Sequence, residues 1–439
     1  MSNETQPARF VIIQAMFQRT LRGLELTLIL FILALVLGYS APSGADGLEK
    51  ARAYTRQIEF KYLSWVGNAA FLKLRAASVG APHTFETETQ RRVVLEYTQL
   101  THKIFEKERE LETIYADAAI TDKELASDSL RAELAKMYAQ QAKLAPLTEA
   151  IVQEQVSQIL VEIGLATAGQ PMPGVAYHVT PLPSSLIISP RDHIEQTAGI
   201  PLDTQLTLDQ ISALESDVDE GLNVSSLVVS IGGMALYPSM VMRSSNPNWF
   251  LNTVAHEWTH NYLTLRPLGL LYSKTPELRT MNETTASIVG NEIGALAMER
   301  FYPELAFRPS TALRTVSAPL SHPEPGDFLR PPFDYNAEMH KTRVTADALL
   351  AEGKIEEAEA YMESRRLFFI QNGYLIRKLN QAFFAFHGAY ADTPGGAAGE
   401  DPVGPAVRAL RDQSESLADF VNTISWKTDF EQLKAAVSP

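Results

Sequence analysis

Two histidines four residues apart constrain this chain more than any other feature. Residues 254–262 read Val-Ala-His-Glu-Trp-Thr-His-Asn-Tyr, which places His256, Glu257 and His260 in an H-E-x-x-H spacing. Residues four apart lie on one face of a helix, so both imidazoles can reach the same metal ion while the carboxylate lies beside them. The spacing therefore predicts a metal-binding helix that also carries a base for a water molecule.

The surrounding sequence favours a helix at this position. Ser245-Asn246-Pro247 offers an N-cap and a first-turn proline, and no glycine or proline follows before Pro267. An apolar side that could be buried is formed by Phe250, Leu251, Val254, Trp258 and Tyr262. The alternative interpretation is a core helix whose two histidines bind no metal.

A third ligand is predicted at Glu283, which lies 23 residues beyond His260. If residues 282–299 are helical, Glu283 shares one stripe with Ala286, Gly290 and Gly294. Apart from the glutamate, the residues on this face have small side chains or none, so another helix can approach the face closely.

Other interpretations of this segment remain open. Glu292 is nine residues further along and would point to the opposite side of the helix, and Glu277 lies in a turn-like Pro-Glu-Leu context. Thr280-x-x-Glu283 also has the spacing of a capping box, in which the glutamate only starts a helix. Asn282-Glu283-Thr284 is in addition a glycosylation sequon, and a glycan there would obstruct the proposed ligand.

Composition excludes several classes of function. The chain contains no cysteine, which rules out disulfides, thiolate ligands and a cysteine nucleophile. A formal net charge of −14 and the absence of a dense basic run argue against nucleic acid as a partner. The 439 residues, 45% of them hydrophobic, are sufficient for two or three globular domains.

Residues 24–41 form an apolar run long enough to cross a bilayer, and we expect a transmembrane signal anchor there, preceded by a short cytoplasmic tail over residues 1–23. The alternative is a cleaved signal peptide, because small residues follow at Ser43-Gly44-Ala45. Arg19 and Arg22 favour a cytoplasmic N-terminus, which would make the rest of the chain extracytoplasmic.

The remaining chain predicts a mostly helical α+β fold. Residues 46–165 indicate a helical region, in which heptad-like spacing over 88–163 favours a long antiparallel hairpin that packs on the core or binds a protein partner. Residues 166–320 form the expected catalytic region with a small β-sheet, including a hairpin of 226–231 with 235–242. A C-terminal helical region over 321–439, with helices at 336–350 and 355–386, is expected to complete that domain.

The pattern of H-E-x-x-H followed by Asn282-Glu283 resembles the gluzincins, the thermolysin-like clan of zinc metallopeptidases. Together with Leu379-Asn380-x-Ala382, Tyr390 and residues 416–420, it is similar to a family of bacterial putative aminopeptidases, over most of residues 220–425. The chain departs from these patterns at Ser287, where thermolysin-like enzymes carry an acid that orients a histidine, and in lacking the cysteine of a lipoprotein start.

The resemblance implies a zincin-like catalytic domain with one Zn²⁺ per chain, held by His256, His260 and Glu283. It also implies a peptide or protein substrate that binds along an edge strand upstream of the motif helix.

Two functional hypotheses follow. The first is a membrane-anchored metallopeptidase in which Glu257 is the general base for water activated by zinc, and Tyr390 or His387 stabilises charge on the scissile carbonyl. The alternative is a membrane-tethered scaffold that binds a partner through the helical hairpin and keeps a structural or vestigial zinc site.

Overall fold

Helices make up most of the structure, a computed structural model that describes residues 45–77, 85–116, 120–204, 206–306 and 333–438. The predicted tail at 1–23 and anchor at 24–41 lie outside the described residues. Among the residues that are described, no helix is both long and apolar enough to span a bilayer. Two compact units are distinguished, Met1–Ala53 and Tyr54–Pro439, and all the contacts discussed below lie within the second.

The helices of the described residues are numbered in chain order. They are α1 (Ala45–Thr55), α2 (Tyr62–Ala77), α3 (Thr87–Ala116), α4 (Lys123–Glu162), α5 (Leu208–Leu222), α6 (Pro247–Thr264), α7 (Pro267–Leu270), α8 (Pro276–Phe301), α9 (Pro303–Ala306), α10 (Tyr335–Ala351), α11 (Ile355–Gln371), α12 (Gln381–His387), α13 (Val403–Gln413), α14 (Leu417–Ile424) and α15 (Phe430–Val437). The strands are β1 (Tyr177–Val179), β2 (Ser184–Pro190), β3 (Ala198–Leu202), β4 (Val224–Ser230), β5 (Gly233–Met234) and β6 (Ser239–Val241). The prediction of a mostly helical α+β fold is confirmed.

The strands form two three-stranded sheets. One is antiparallel, in the order β3-β2-β4, and the other has the order β1-β6-β5, with β1 parallel and β5 antiparallel to β6. The predicted hairpin of 226–231 with 235–242 is therefore wrong. Strand β4 instead pairs along all seven residues with β2, and the chain leaves that sheet at Gly232-Gly233 to form the smaller hairpin β5–β6. A seven-residue ladder satisfies more backbone groups than β5 could offer.

The predicted helical hairpin is present as α3 and α4. Thr101 accepts a hydrogen bond from Gln141 Nε2 at 2.8 Å, while seven residues further on Glu108 accepts one from Tyr138, so the two helices run antiparallel. A small apolar cluster forms at Leu100, Ile104 and Leu134, and the first turns of α3 and the second half of α4 contribute to the main core. The core-packing role of the hairpin is confirmed.

The main core surrounds α6 and α8, which cross each other closely. Asn246 caps α6 as predicted, because its Oδ1 accepts hydrogen bonds from the backbone N–H groups of Asn248 and Trp249 at 3.0 and 3.2 Å. The apolar side of α6 is fully buried against α4, α8 and the C-terminal helices. The motif helix is therefore held rigidly in the interior.

The C-terminal region departs from the expected single helix over 355–386. Helix α11 ends at Gln371, the chain turns through Gly373 at φ +88°, and α12 begins only after Asn380, whose side chain accepts a hydrogen bond from Phe383 N. Glycine adopts this left-handed conformation without the steric cost of a Cβ atom, which explains the break. The short helix α12 leads directly to Tyr390.

Candidate metal centre

Helix α8 reaches the motif helix through its smallest residues. A Cβ atom on Gly290 would lie 2.6 Å from Asn252 Oδ1 and 3.1 Å from His256 Cβ, and one on Gly294 would lie 3.1 Å from Asn252 Cα. The helices could not approach this closely with larger side chains at these positions. The small residues predicted on this face of α8 therefore allow the close packing that places Glu283 beside the two histidines.

Three side chains converge between these helices. His256 Nε2 and His260 Nε2 are 3.0 Å apart, and Glu283 Oε2 lies 3.7 Å from the first and 3.4 Å from the second. Ligands on a tetrahedral zinc ion at about 2.0–2.1 Å are separated by roughly 3.3 Å. The three atoms thus have the spacing of three ligands that share one metal.

The donor set fits a metal ion for a second reason. Glu283 is only 5% exposed, and its Oε2 atom, the one facing the histidines, has no hydrogen-bond donor among the described residues. A buried carboxylate oxygen without a partner is costly. A cation at the centre of the triad would satisfy it.

The tautomer of His260 is set by Asn282. Asn282 Oδ1 lies 2.7 Å from His260 Nδ1, so the ring donates its Nδ1–H to the amide and Nε2 is the nitrogen that faces the triad. Metal-binding histidines are generally oriented by an acceptor of this kind. Asn282 Oδ1 is placed as such an acceptor for His260.

The charges of the triad are strongly coupled. Burial alone would lower the pKa of His260, but the carboxylate of Glu283 outweighs burial and raises that pKa to about 9. Burial likewise opposes ionisation of Glu283, yet the charge on His260 holds the pKa of the carboxyl well below its usual range. In the absence of a metal, one proton thus compensates the buried carboxylate.

Tyr272 holds the other oxygen of Glu283. Its hydroxyl donates to Oε1 at 2.5 Å, and its ring stands edge-on to His260 with 6.3 Å between centroids. Burial and the neighbouring carboxylate both raise the pKa of Tyr272, which keeps the hydroxyl protonated as a donor. Glu283 is therefore oriented with one oxygen bound to protein and one directed at the site.

Glu257 lies buried between the triad and strand β5. It is 5% exposed, and burial raises the pKa of its carboxyl above the ordinary value. Its side chain rests directly on Gly233, where a Cβ atom would collide with Oε1. A glycine is thus required at this point of β5 for the carboxylate to stand where it does.

Motif-helix side chains also hold the β5–β6 hairpin. Asn261 Nδ2 donates to Leu236 O at 3.0 Å and to Ser239 Oγ at 2.9 Å, and Trp258 Nε1 donates to Pro173 O at 2.7 Å. Asn261 therefore holds the β5–β6 hairpin against the motif helix, and Trp258, at a variable position of H-E-x-x-H, holds the segment that precedes β1.

The two residues proposed for charge stabilisation lie in different environments. The ring of Tyr390 stacks on that of His256 at 6.3 Å, and burial together with the carboxylate of Glu283 raises the pKa of its hydroxyl well above the usual value. The residue as a whole remains 37% exposed, whereas its hydroxyl lies in buried surroundings. His387 instead packs on Phe383 at 4.3 Å and on Phe386, and burial and Arg279 lower its pKa to about 4.

The alternative interpretations of the third ligand are resolved by position. Glu292 forms a bidentate ion pair with Arg411 at 2.7 and 2.8 Å, and Glu277 is exposed in the first turn of α8. The capping box is wrong, because α8 begins at Pro276 with Thr275 as its N-cap, which leaves Thr280 inside the helix. The helix therefore starts six residues earlier than the predicted 282.

Three residues of the site were not singled out by the sequence. The sequence marks Asn282 as part of the Asn-Glu pair and as a sequon, not as a partner of His260; with 1% exposure and its side chain bonded to His260, it has no room for a glycan. Tyr272 lies in a loop that carries no signal, and Gly233 was interpreted only as part of a turn. The Asn-Glu pair itself was the one local clue to Asn282.

Comparison with known proteins gave no match: no family model, no curated protein and no solved structure matches the chain. The resemblance to the gluzincins stays a prediction, and the geometry described above carries the functional argument.

Proposed function

We propose that this protein is a zinc-dependent metallopeptidase that hydrolyses peptide bonds. The observation that carries the proposal is the convergence of His256 Nε2, His260 Nε2 and the unpartnered Glu283 Oε2. A second buried carboxylate, that of Glu257, lies beside them. Structural zinc sites are closed by four protein ligands, whereas catalytic sites have three and keep one position open. A set of three ligands with an additional base belongs to the second kind.

His256, His260 and Glu283 would hold the ion, and zinc, when bound, makes water acidic enough to attack a carbonyl at neutral pH and polarises that carbonyl. Glu257 accepts a proton from the attacking water and passes it to the leaving amine. Burial raises the pKa of Glu257, which makes its carboxylate a stronger base toward the attacking water. The absence of a side chain at Gly233 leaves the space that this carboxylate occupies.

Strand β5 is suited to bind the substrate backbone. Gly233 pairs opposite Val241, and the neighbouring pair Gly232 and Met242 is hydrogen-bonded at 3.1 Å. Hydrogen-bonded and open pairs alternate in an antiparallel ladder, so the N–H and C=O of Gly233 point away from β6, on the outer edge of the sheet. An extended peptide added at this edge would lie beside Glu257.

Tyr390 is the residue we propose to stabilise the oxyanion. Its hydroxyl stays protonated over the whole working pH range, because burial and the carboxylates of Glu283 and Glu257 raise its pKa. Its ring stacks on that of the candidate ligand His256. A neutral donor aimed at a developing negative charge is worth roughly 10²–10³ in kcat. We leave His387 out of the mechanism, because it packs among phenylalanines.

We also propose that residues 24–41 anchor the protein in a membrane, with the catalytic region on the extracytoplasmic side. The support is the uninterrupted apolar run over residues 28–37 within this segment, together with the nearby Arg19 and Arg22. Alkaline extraction of membranes from cells that express the full chain tests the anchor, and protease access in sealed spheroplasts tests the orientation.

The replacement Glu257→Gln tests the peptidase mechanism. The purified variant should bind one zinc per chain and lose at least 10³-fold in cleavage of a peptide library, since the base is gone while the ligands remain. Glu277→Gln is the matched control, because that glutamate is exposed and outside the triad; it should retain wild-type cleavage. Hydrolysis retained by the Glu257 variant would contradict the mechanism, and stable zinc binding by the wild type without any cleavage would favour the scaffold.

A further inference from the structure

Thr284 directly follows the proposed ligand Glu283 on α8, and its side chain contacts residues 388–391, the segment that carries Tyr390. The hydroxyl donates to Ala389 O at 3.3 Å and accepts from Ala391 N at 3.3 Å. Thr284 is fully buried, so no solvent competes for these bonds. One hydroxyl thus binds the backbone immediately before and immediately after Tyr390.

The bonds that the segment makes within itself are few. Helix α12 ends at His387, and Gly388 N still donates to Phe384 O at 2.8 Å. Beyond it, the local bonds are Ala389 N to Phe386 O at 3.4 Å and Tyr390 N to His387 O at 3.3 Å, no shorter than the two that Thr284 makes. Further anchors come from side chains of other elements, with Arg279 Nη1 donating to Ala385 O at 2.9 Å and Arg408 donating to Ala391 O. The position of Tyr390 therefore depends on side chains outside the segment.

Helix α8 supplies two of these anchors together with the ligand. Arg279 lies one turn before Glu283 and Thr284 one residue after it. Any shift of α8 relative to the segment would move the carboxylate and the phenol by different amounts unless the two are tied together. The hydroxyl of Thr284 makes this connection through its two hydrogen bonds, at the residue next to Glu283.

We propose that Thr284 is a positioning residue, whose hydroxyl fixes the backbone on both sides of Tyr390 and thereby sets the phenol over the metal site. This inference rests on the proposed peptidase function only for its catalytic consequence. Thr284 touches neither substrate nor metal and acts through Tyr390.

Hydrogen exchange at the Ala391 amide, measured in the zinc-loaded full chain, tests its hydrogen bond to Thr284 directly. Thr284→Val keeps the shape of the side chain and removes the hydroxyl, so exchange in the peptide that contains Ala391 should rise roughly tenfold. Thr285→Val is the matched control, because Thr285 is equally buried on the same helix but its hydroxyl bonds to Met281 O within α8. Thr284→Ser should restore slow exchange. Unchanged exchange in Thr284→Val would overturn the proposal.

Turnover measures the catalytic consequence. Thr284→Val should lower kcat roughly tenfold with little change in KM and with full zinc content, and Thr284→Ser should recover most of the loss. In a Tyr390→Phe background the same Thr284→Val change should have no further effect, because the hydroxyl it positions is absent. An undiminished tenfold loss in that background would overturn action through Tyr390. A wild-type chain that cleaves no peptide would refute the proposed function instead, and exchange at Ala391 would still decide whether Thr284 holds the segment.

Discussion

The amide oxygen of Asn282 lies 2.7 Å from Nδ1 of His260, so the residue beside one proposed ligand orients another. Both residues of the Asn-Glu pair therefore lie at the same site, Glu283 as a proposed ligand and Asn282 as the hydrogen-bond acceptor that fixes the tautomer of His260. Neighbours on a helix point about 100° apart, and the two side chains reach the motif helix from adjacent sides.

Replacing Asn282 by Ala should weaken zinc binding about 10–100-fold, because the imidazole loses the acceptor that fixes its ring and tautomer. Competition with a fluorescent chelator measures the change. Asn282→Asp keeps the acceptor and should bind zinc at least as tightly as the wild type. Equal affinity in the alanine variant would show that packing alone orients His260.

Replacing Gly233 by Ala should lower kcat by roughly 10²-fold or more while zinc content stays at one per chain, because the new Cβ displaces the carboxylate of Glu257. Steady-state kinetics and metal analysis on one preparation test this. Gly67→Ala is a suitable control, since nothing lies within 4 Å of a Cβ there. A fully active Gly233 variant would contradict the contact.

Replacing Gly290 by Ala should both destabilise the protein and weaken the metal site. The added Cβ would lie 2.9 Å from the backbone oxygen of Asn252, so α6 and α8 must separate by several tenths of an ångström. We expect a loss of about 1–3 kcal/mol in the free energy of unfolding, as for overpacking in other cores. Denaturant unfolding with and without zinc tests it, and the loss should be larger with zinc present.

Zinc binding should release close to one proton per ion between pH 7 and 8. The pKa of His260 is raised to about 9 in the metal-free protein, so the imidazole is protonated at neutral pH and must lose that proton to become a ligand. Apparent affinity should therefore rise about tenfold per pH unit and level off near pH 9. Calorimetry in buffers of different ionisation enthalpy measures the release directly. A heat that does not depend on the buffer would contradict the coupling of His260 to Glu283.

His387 should make the protein sensitive to acid without a part in turnover. Burial and the nearby Arg279 lower its pKa to about 4, below the ordinary 6.5, so the neutral form is favoured in the folded state. Because the folded state opposes protonation of this ring, stability is full above pH 6.5 and falls by roughly 3 kcal/mol as the pH drops to 4. His387→Gln should flatten this part of the stability profile, measured by thermal unfolding from pH 7 to 4. A large loss of kcat in that variant would instead support His387 as catalytic.

The sequence by itself determined the local features of the site. The period of the helix places His256 and His260 on one face, the capping signal at Asn246 sets where that helix begins, and the stripe of Ala286, Gly290 and Gly294 marks the close crossing. Each of these depends on residues within a few turns of one another, where helix geometry fixes the distances.

Tertiary structure decided the rest. The pairing of β4 with β2 and not with the strand that follows it, the contact of Glu257 with Gly233 and the position of Tyr390 above His256 all join residues far apart in the chain. No local periodicity encodes such contacts, because they result from how separate elements pack and satisfy their backbone groups together. The candidate ligands could therefore be predicted from the sequence, but the contacts that orient them could not.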